Sequence, residues 1–345
     1  MVSTRPSSDT RRTDLLQWFD EISNKTPFSM TPASEDASFR RYFRISTELP
    51  VFGKTSLIAM DAPPAKEDCV AFIRVDALMR QKGVNAPEIY VQDSSQGFLL
   101  LEDFGSTTYQ TALANGEDSD ELYYDAFNAL VLWQQDSAPD FLPHYDDALL
   151  RRELELFPEW YVTQYKRYSM SPNERKMLKT TFDQLIANVT MQPQVFVHRD
   201  YHIRNLMRVR HDNPGVLDFQ DAVYGPVTYD LVSLLRDAYV DWSEERQLDW
   251  AARYWELARE SGVPVPVRFD TFWRDFEWMG VQRHLKVAGI FARLAIRDGK
   301  KAYLNDMPRV IGYLRHAAGR YSEFFPLLKF LDALDGKKPQ TGYTF

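Results

Sequence analysis

The chain has 345 residues, of which 44% are hydrophobic and 14% aromatic, so it can bury a large core and is not a disordered polypeptide. Its net charge of −8 argues against nonspecific nucleic-acid binding, which needs a basic face, although a local cation cluster can still bind an anionic small molecule. The single cysteine, Cys69, and the lack of a long apolar run or secretory signal favour a reducing compartment. We therefore expect a cytoplasmic protein that binds neither nucleic acid nor membrane.

The first hundred residues predict a small β-sheet with helices beside it, because period-2 and helical apolar patterns alternate there. The predicted elements are a helix capped by Asp9 or Thr13 and running to about Ser23, two strands around a polar loop at 34–38, a strand at 55–60, a helix at 66–81 ended by Gly83, and a hairpin turning at 93–96. This pattern indicates an N-terminal α+β region.

The predicted sheet lacks two features with which protein kinases bind ATP phosphates. The loop at 34–38 contains no glycine, and Met60 ends the strand where kinases carry a phosphate-binding lysine. Ser34 and Ser38 are candidates to contact phosphate in place of the glycine loop, and an ordinary hairpin turn is the alternative. The candidates for the missing positive charge are Arg40, Arg41, Arg44 and Lys54, between which the sequence does not choose.

The strand at 97–102 runs into the segment 102–105, Glu-Asp-Phe-Gly, which we interpret as a hinge between two lobes. In bilobal kinases the hinge backbone binds adenine, so the predicted nucleotide-binding residues here are Leu101, Glu102, Asp103 and Phe104. Asp103 is not expected to bind magnesium, because the metal-binding aspartate follows the catalytic loop and this one precedes it. The predicted division is 1–104 and 105–345.

The second part of the chain is predicted to be mostly helical. The predicted features are an apolar helical stripe from Leu122 to Trp133, a helix at 149–168 interrupted near Pro158, a helix capped by Ser171, two short strands, a helix opening at Tyr229, and breaks near 262–266, 305–308 and Pro326. Asp230, at the start of its helix, is predicted to hold the catalytic loop by hydrogen bonds.

The segment Val195–Asn205 carries the strongest chemical signal. Asp200 and Asn205 are five residues apart, the spacing of the kinase catalytic loop, in which the aspartate accepts a hydroxyl proton and the asparagine binds magnesium. Asp218 closes a short apolar strand at 215–217, where kinases place the second magnesium ligand. These oxygen donors suit Mg²⁺, with ATP phosphates completing the shell. A polar surface turn is the alternative interpretation.

At these residues the chain resembles the aminoglycoside phosphotransferase superfamily, in His198–Asn205, Val216–Asp221 and Leu99–Gly105. The segments 60–64, 40–44 and 283–291 look like the bacterial branch that phosphorylates N-acetylmuramate and N-acetylglucosamine at the anomeric hydroxyl during cell-wall recycling. The resemblance implies a bilobal protein-kinase-like α+β fold. Its small N-terminal lobe would be a β-sheet with one helix, and its larger lobe mostly helical.

The resemblance also implies ATP and Mg²⁺ as cofactors, Asp200 as the catalytic residue, and Asn205 and Asp218 as metal ligands. The lactyl carboxylate of N-acetylmuramate calls for a cation, ideally a bidentate arginine. The substrate-binding candidates are His202, Arg204, Asp221, Arg236 and Arg283, the last together with Lys286. For each, a structural role is the alternative: a solvated charge, an internal ion pair or a bond to the loop backbone.

Three other functions remain open at this stage. An aminoglycoside or choline kinase would share the catalytic residues, a protein Ser/Thr kinase would need an open peptide groove, and a non-catalytic nucleotide-binding regulator would explain the missing lysine and glycines. The intact set of Asp200, Asn205 and Asp218 argues against the regulator, because a binding module has no use for a base. We expect a monomeric amino-sugar kinase.

Overall fold

The computed structural model describes residues 9–35, 39–135 and 137–337, and its contacts divide the chain into two compact units. The first unit comprises Met1–Thr107 together with Met207–Gln220, and the second comprises Thr108–Leu206 together with Asp221–Phe345. A later segment of the chain therefore belongs with the N-terminal unit. The predicted boundary after residue 104 stays a prediction.

The first unit is built on a five-stranded antiparallel sheet with strand order β1-β2-β3-β5-β4. Its elements are α1 (Thr10–Ile22), β1 (Phe28–Glu35), β2 (Arg41–Val51), β3 (Lys54–Asp61), α2 (Cys69–Gln81), β4 (Ile89–Asp93) and β5 (Phe98–Glu102). Its described residues thus form two helices, where the resemblance implied one. Met60 pairs with Tyr42 on one side and with Leu99 on the other, so it lies inside the sheet, fully buried.

The core of the first unit lies between α1 and one face of the sheet. Alternate positions of β2, β3 and β5 supply its strand residues, because side chains of a strand point to opposite faces in turn. The cluster consists of Leu15, Trp18 and Phe19 from α1 with Phe43, Ile45, Val51, Leu57, Ala59, Phe98 and Leu100. Burial of this apolar surface stabilises the unit.

Local sequence signals set the ends of the two helices. Asp9, one of the two predicted caps, caps α1 by accepting a hydrogen bond from the backbone of Arg12, and Thr13 lies inside the helix. The predicted start of α2 was three residues early, because Asp68 forms the cap and the helix begins at Cys69. Gly83 follows the helix with φ of +82°, which a glycine adopts without strain. Ser34, predicted in a loop, lies in β1 instead, and Ser38 lies outside the described residues.

The second unit is mostly helical. Its helices are α3 (Tyr109–Ala114), α4 (Ser119–Gln134), α5 (Asp147–Leu154), α6 (Pro172–Met191), α7 (Tyr229–Leu235), α8 (Glu244–Glu260), α9 (Phe269–Arg297), α10 (Met307–Arg320) and α11 (Phe325–Leu334), with short 3₁₀ turns at Lys301–Asn305 and Ser322–Phe324. Strands β6 (Gln194–Val197) and β9 (Val223–Pro226) form an antiparallel pair. The two-residue strands β7 (Leu206–Met207) and β8 (Gly215–Val216) pair where the chain passes into the first unit.

Two predicted features of this unit are confirmed. Ser171 and Glu174 form a reciprocal capping box at the start of α6, with Pro172 in the first turn. The helix predicted at 149–168 is interrupted near Pro158: α5 ends at Leu154, and Phe157–Tyr165 forms a π-helix. The proline lacks a backbone N–H, which disfavours a continuous α-helix there. The predicted strand at 215–217 is shorter, because only Gly215 and Val216 pair.

In the described parts of the chain, none of the helices combines the length and the apolar character needed to span a membrane.

Candidate active site

The predicted catalytic loop, 198–205, lies between β6 and β7 and is folded into a closed turn. The side-chain amide of Asn205 donates to the backbone oxygen of Asp200 over 2.9 Å, and its backbone N–H donates to the oxygen of His202 over 2.9 Å. The backbone N–H of Asp200 donates to Nδ1 of buried His198 over 3.2 Å. The loop therefore fixes Asp200 relative to Asn205 by bonds of its own.

A buried carboxylate holds the beginning of this loop. Asp230, at the start of α7, accepts hydrogen bonds from the backbone N–H groups of His198 at 2.7 Å and Arg199 at 2.9 Å. The predicted role of Asp230 is confirmed. Burial raises the pKa of Asp230 to about 7, although both backbone donors favour its ionised form. The segment before Asp200 is thus tied to α7.

Arg199 precedes Asp200 in a left-handed backbone conformation, with φ of +77°. Such a conformation is unfavourable for a non-glycine residue and persists where surrounding contacts enforce it. The Arg199 side chain forms an ion pair with Glu153 and donates to the backbone oxygen of Asp221 over 3.2 Å. The strained residue is therefore held at both its backbone and its side chain.

A buried group of charged residues from α5, α7 and α9 lies behind the loop. Lys286 on α9 is 3.0 Å from Glu153, and its ammonium also donates to the Tyr229 hydroxyl over 2.9 Å. Arg283, one turn earlier, donates to Tyr229 over 3.1 Å and to the backbone oxygen of Arg199 over 3.2 Å. Arg283 and Lys286 are thus anchored inside the unit.

This charge distribution sets the ionisation of Asp200. Burial alone would raise the pKa of Asp200, but the positive charges of Lys286, Arg283 and Arg199 outweigh it and lower that pKa to about 2. Asp200 is therefore a carboxylate at neutral pH. Burial also lowers the pKa of His202, which favours a neutral imidazole.

The exposed side of the loop is held by Tyr239 and its neighbours. The guanidinium of Arg204 lies 3.7 Å from the centre of the Tyr239 ring, and its Nε donates to the side-chain oxygen of Gln110 over 3.1 Å. The His202 ring meets Tyr239 edge to face with centres 5.5 Å apart. Asp237 accepts from the backbone N–H of Ile203 over 3.3 Å. Arg204 is thus exposed but held in place.

Asp218 belongs to the first unit, in the segment after β8. It has φ of +65°, and its carboxylate accepts from the side chain of Gln220 over 2.8 Å. The neighbouring Phe219 packs on Phe72 of α2, with ring centres 4.9 Å apart. The unfavourable backbone conformations of Asp218 and Arg199 thus occur in the two segments whose motifs predict a catalytic site.

The backbone of Gly215 lies close to the ring of Phe104 in the first unit. A Cβ at this position would be 2.6 Å from a ring carbon of Phe104, which is closer than two carbon atoms can pack. Phe104 is one of the predicted nucleotide-binding residues, and this contact fixes its ring against β8.

The charged residues among the other predicted nucleotide-binding residues are held by ion pairs. Arg44 binds the carboxylate of Asp103 with two hydrogen bonds, of 2.7 and 2.9 Å, and donates to the backbone oxygen of Gly105 over 2.7 Å. Glu102 pairs with Lys54 at 3.1 Å. Leu101 is buried in β5. The nucleotide roles predicted for these residues stay predictions.

Each of the four candidates for the missing lysine charge has a carboxylate partner. Besides the pairs of Arg44 and Lys54, Arg41 binds Asp61 and Asp9, and Arg40 lies 4.0 Å from Glu67. All four cations are therefore engaged by carboxylates of the first unit.

The remaining substrate candidates are separated by their surroundings. Arg236 is buried in an ion pair with Glu277 at 3.2 Å and donates to Gln247 over 3.0 Å. Asp221 is exposed. Sequence reasoning missed Glu153, Tyr229, Tyr239 and Gln110, which come from separate elements and belong to no recognised motif.

The donor set around the predicted magnesium ligands suits a hard cation. The side-chain nitrogen of Asn205 donates to the Asp200 backbone, and the predicted ligands Asn205 and Asp218 carry an amide and a carboxylate oxygen, respectively. Within the described residues, no group of three or more His, Cys, Asp or Glu side chains could hold a metal. Amide and carboxylate oxygens are donors that Mg²⁺ takes in proteins, where phosphate and water commonly complete its shell.

Comparison with known proteins identifies similar chains. The model of the phosphotransferase enzyme family matches residues 29–269. The N-acetylmuramate/N-acetylglucosamine kinase of Neisseria meningitidis serogroup B is 45% identical over 97% of this chain and 99% of its own length. The protein of the same name from Pseudomonas aeruginosa is 47% identical over 89% of each chain.

Solved structures support the fold. Choline kinase from Cryptosporidium parvum Iowa II has a TM-score of 0.61 at 11% identity, covering 92% of this chain and 99% of its own. APH(2")-IIa in its gentamicin complex has a TM-score of 0.57 at 13% identity, covering 90% and 97%. These likenesses confirm the kinase-like α+β fold predicted from the sequence.

Proposed function

The chain belongs to the phosphotransferase enzyme family, and from this premise we propose that it is an ATP- and Mg²⁺-dependent kinase of N-acetylmuramate and N-acetylglucosamine acting at the anomeric hydroxyl. Two relatives that bear this name are 45% and 47% identical to it over most of the chain. The observation that carries the proposal is the loop at 198–205, which holds an ionised Asp200 in a closed turn beside Asn205.

In the proposed reaction the anomeric oxygen of the sugar attacks the γ-phosphorus of ATP. A new O–P bond forms, the bond between the γ-phosphorus and the bridging oxygen breaks, and ADP leaves with the electron pair. The hydroxyl proton passes to the carboxylate of Asp200. A carboxylate with a pKa of about 2 is a weak base, so its main contribution is to orient the hydroxyl. An anomeric hydroxyl is more acidic than an ordinary alcohol, which suits such a base.

Asn205 and Asp218 are the proposed ligands of Mg²⁺. When bound, the ion neutralises charge that develops on the transferred phosphoryl group. The turn that ends at Asn205 directs its side-chain oxygen by binding the amide nitrogen. The nucleotide residues of the proposal are the predicted ones: Ser34, Ser38, Arg44, Leu101, Glu102, Asp103 and Phe104.

The predicted substrate-binding residues are proposed to have different roles. Neutral His202 and exposed Asp221 are proposed to bind sugar hydroxyl groups. Arg283 is proposed to act through Asp200, because it donates to the backbone oxygen immediately before that residue. Arg236 was predicted as a carboxylate ligand, but its guanidinium is engaged with Glu277, so a structural role is proposed for it. A monomeric state and a cytoplasmic location remain predictions from composition.

The test is ADP release with Mg²⁺ and ATP over a substrate panel of N-acetylmuramate, N-acetylglucosamine, glucose, kanamycin, choline and a generic protein. We expect turnover on the two N-acetylated sugars, and phosphorus NMR should place the phosphate on C1. Asp200→Asn should abolish turnover, whereas Asp140→Asn, at an exposed position, should not.

The panel also separates the alternatives. Turnover on kanamycin or choline alone would contradict the sugar assignment and leave a small-molecule kinase. Phosphate transferred to the generic protein would indicate a protein kinase. Binding of ATP with no turnover on any substrate would indicate a regulator.

A further inference from the structure

The cationic side chains around the catalytic loop differ in whether a carboxylate forms an ion pair with them. Lys286 and Arg199 share the buried carboxylate of Glu153, and Arg236 is paired with Glu277. Arg283 forms no ion pair with a carboxylate among the described residues, but it is buried, and its guanidinium is engaged by Tyr229, Ser233 and the loop backbone. The charged groups of these side chains are therefore bound by other residues of the second unit.

Arg204 has a different environment. It is exposed, and among the described residues no carboxylate forms an ion pair with it. A guanidinium carries five N–H donors, of which Gln110 takes the one on Nε. Its flat face is covered by the ring of Tyr239 at 3.7 Å. The guanidinium is thus oriented in advance, and no carboxylate in the described parts of the chain pairs with it.

Orientation in advance matters for a carboxylate ligand. A flexible arginine loses side-chain entropy when it binds, whereas a stacked guanidinium has already lost most of it. Tyr239 also contacts His202, so the same ring fixes Arg204 relative to the loop that carries Asp200. Arg204 belongs to the turn that Asn205 closes on Asp200, so it is in the same short loop as the proposed catalytic residue.

We propose that Arg204, held on Tyr239 and by Gln110, binds the lactyl carboxylate of N-acetylmuramate and sets the preference for the acidic sugar. This inference rests on the proposed function. The lactyl group is attached two ring carbons from the anomeric carbon. The residue that binds its carboxylate must therefore lie near the residue that orients the anomeric hydroxyl, and must be a different residue. Arg204 is four residues from Asp200 within the same closed turn, and a bidentate arginine matches the geometry of a carboxylate.

The two sugars give a direct test, because N-acetylglucosamine lacks the carboxylate. kcat and KM are measured for N-acetylmuramate, its methyl ester and N-acetylglucosamine. In Arg204→Gln, the ratio of kcat/KM for N-acetylmuramate to that for N-acetylglucosamine should fall about 10- to 100-fold, mainly through KM. The variant should no longer distinguish the acid from its methyl ester, and Arg204→Lys should recover part of the ratio.

Further variants separate recognition from structure. Tyr239→Leu should lower the same ratio, because it removes the stacking surface, and Tyr239→Phe should retain most of it. Arg175→Gln, at an exposed position on α6, is the matched control and should leave the ratio within about twofold.

Equal losses on both sugars in Arg204→Gln, or an unchanged ratio, would overturn the inference while the kinase assignment stands. A wild-type protein that turns over neither sugar would overturn the proposed function and this inference with it.

Discussion

The side-chain amide of Asn205 donates a hydrogen bond to the backbone oxygen of Asp200 over 2.9 Å. One residue therefore closes the catalytic loop and, in the proposed function, also supplies a metal ligand. Asn205→Ala should lower kcat by about 100-fold or more, because both contributions are lost. The Mg²⁺ concentration that gives half-maximal rate should rise. Steady-state kinetics with a Mg²⁺ titration measure both effects.

The control for this prediction is Asn173→Ala, which removes an exposed amide from the first turn of α6. A kcat within threefold of the wild type in Asn205→Ala would contradict the role given to this residue.

Asp230 should be important for stability because its carboxylate is fully buried and accepts two backbone hydrogen bonds. In Asp230→Asn the amide oxygen can accept from only one of the two backbone donors, and the charge that strengthens both bonds is lost. The free energy of unfolding should fall by about 2–4 kcal/mol. Denaturant unfolding measures the change. Asp249→Asn, in an exposed pair with Arg253, should cost less than about 0.5 kcal/mol.

The low pKa of Asp200 predicts a particular pH dependence. Its folded-state pKa of about 2 lies below the ordinary aspartate value, so the stability it contributes is present above about pH 4 and is lost as the pH falls towards 2. In the wild type, kcat should therefore show no loss from protonation of Asp200 above pH 5. Lys286→Met removes a cation that holds this pKa down, so an acid limb in the pH–rate profile should move to higher pH.

Lys179→Met is the matched control, because Lys179 is 69% exposed and its partner Asp183 lies outside the loop. Identical acid limbs in the wild type and Lys286→Met would show that Lys286 does not influence the ionisation of Asp200.

Gly215 should not tolerate a larger side chain. In Gly215→Ala the added methyl would meet the Phe104 ring at 2.6 Å, which should destabilise the first unit by about 1–3 kcal/mol. Phe104→Leu in the same chain should recover part of the loss. Thermal unfolding measures the single and double variants. Gly312→Ala, where nothing lies within 4 Å of the new methyl, should not destabilise; equal losses in both would refute the steric explanation.

The sequence predicted those parts of the structure that short-range chemistry determines. The caps at Asp9 and Ser171 were found because their side-chain oxygens bind backbone groups a few residues away. The error at the start of α2 has the same origin: Asp68 is a good cap, and the sequence pattern also allowed an earlier start. Asp230 was predicted because it opens a helix that follows the catalytic strands.

Contacts between distant elements were not predictable in this way. Glu153 lies on α5 and meets Arg199 and Lys286 only because α5 and α9 pack behind the loop. Nothing in the spacing of these three residues indicates that they meet. The π-helix at Phe157–Tyr165 was likewise not predicted, although the interruption of the α-helix near Pro158 was.

The membership of Met207–Gln220 in the first unit has a consequence for the order in which the protein is made. Phe219 packs on Phe72, and the backbone of Val216 donates to Asn85, so the N-terminal unit acquires these partners only after residues 108–206 have been synthesised. A nascent chain that has reached Thr107 therefore lacks the ring of Phe219 that packs on Phe72 and the backbone N–H of Val216 that binds Asn85. The first unit is completed during translation only when residue 220 has left the ribosome, after much of the second unit already exists.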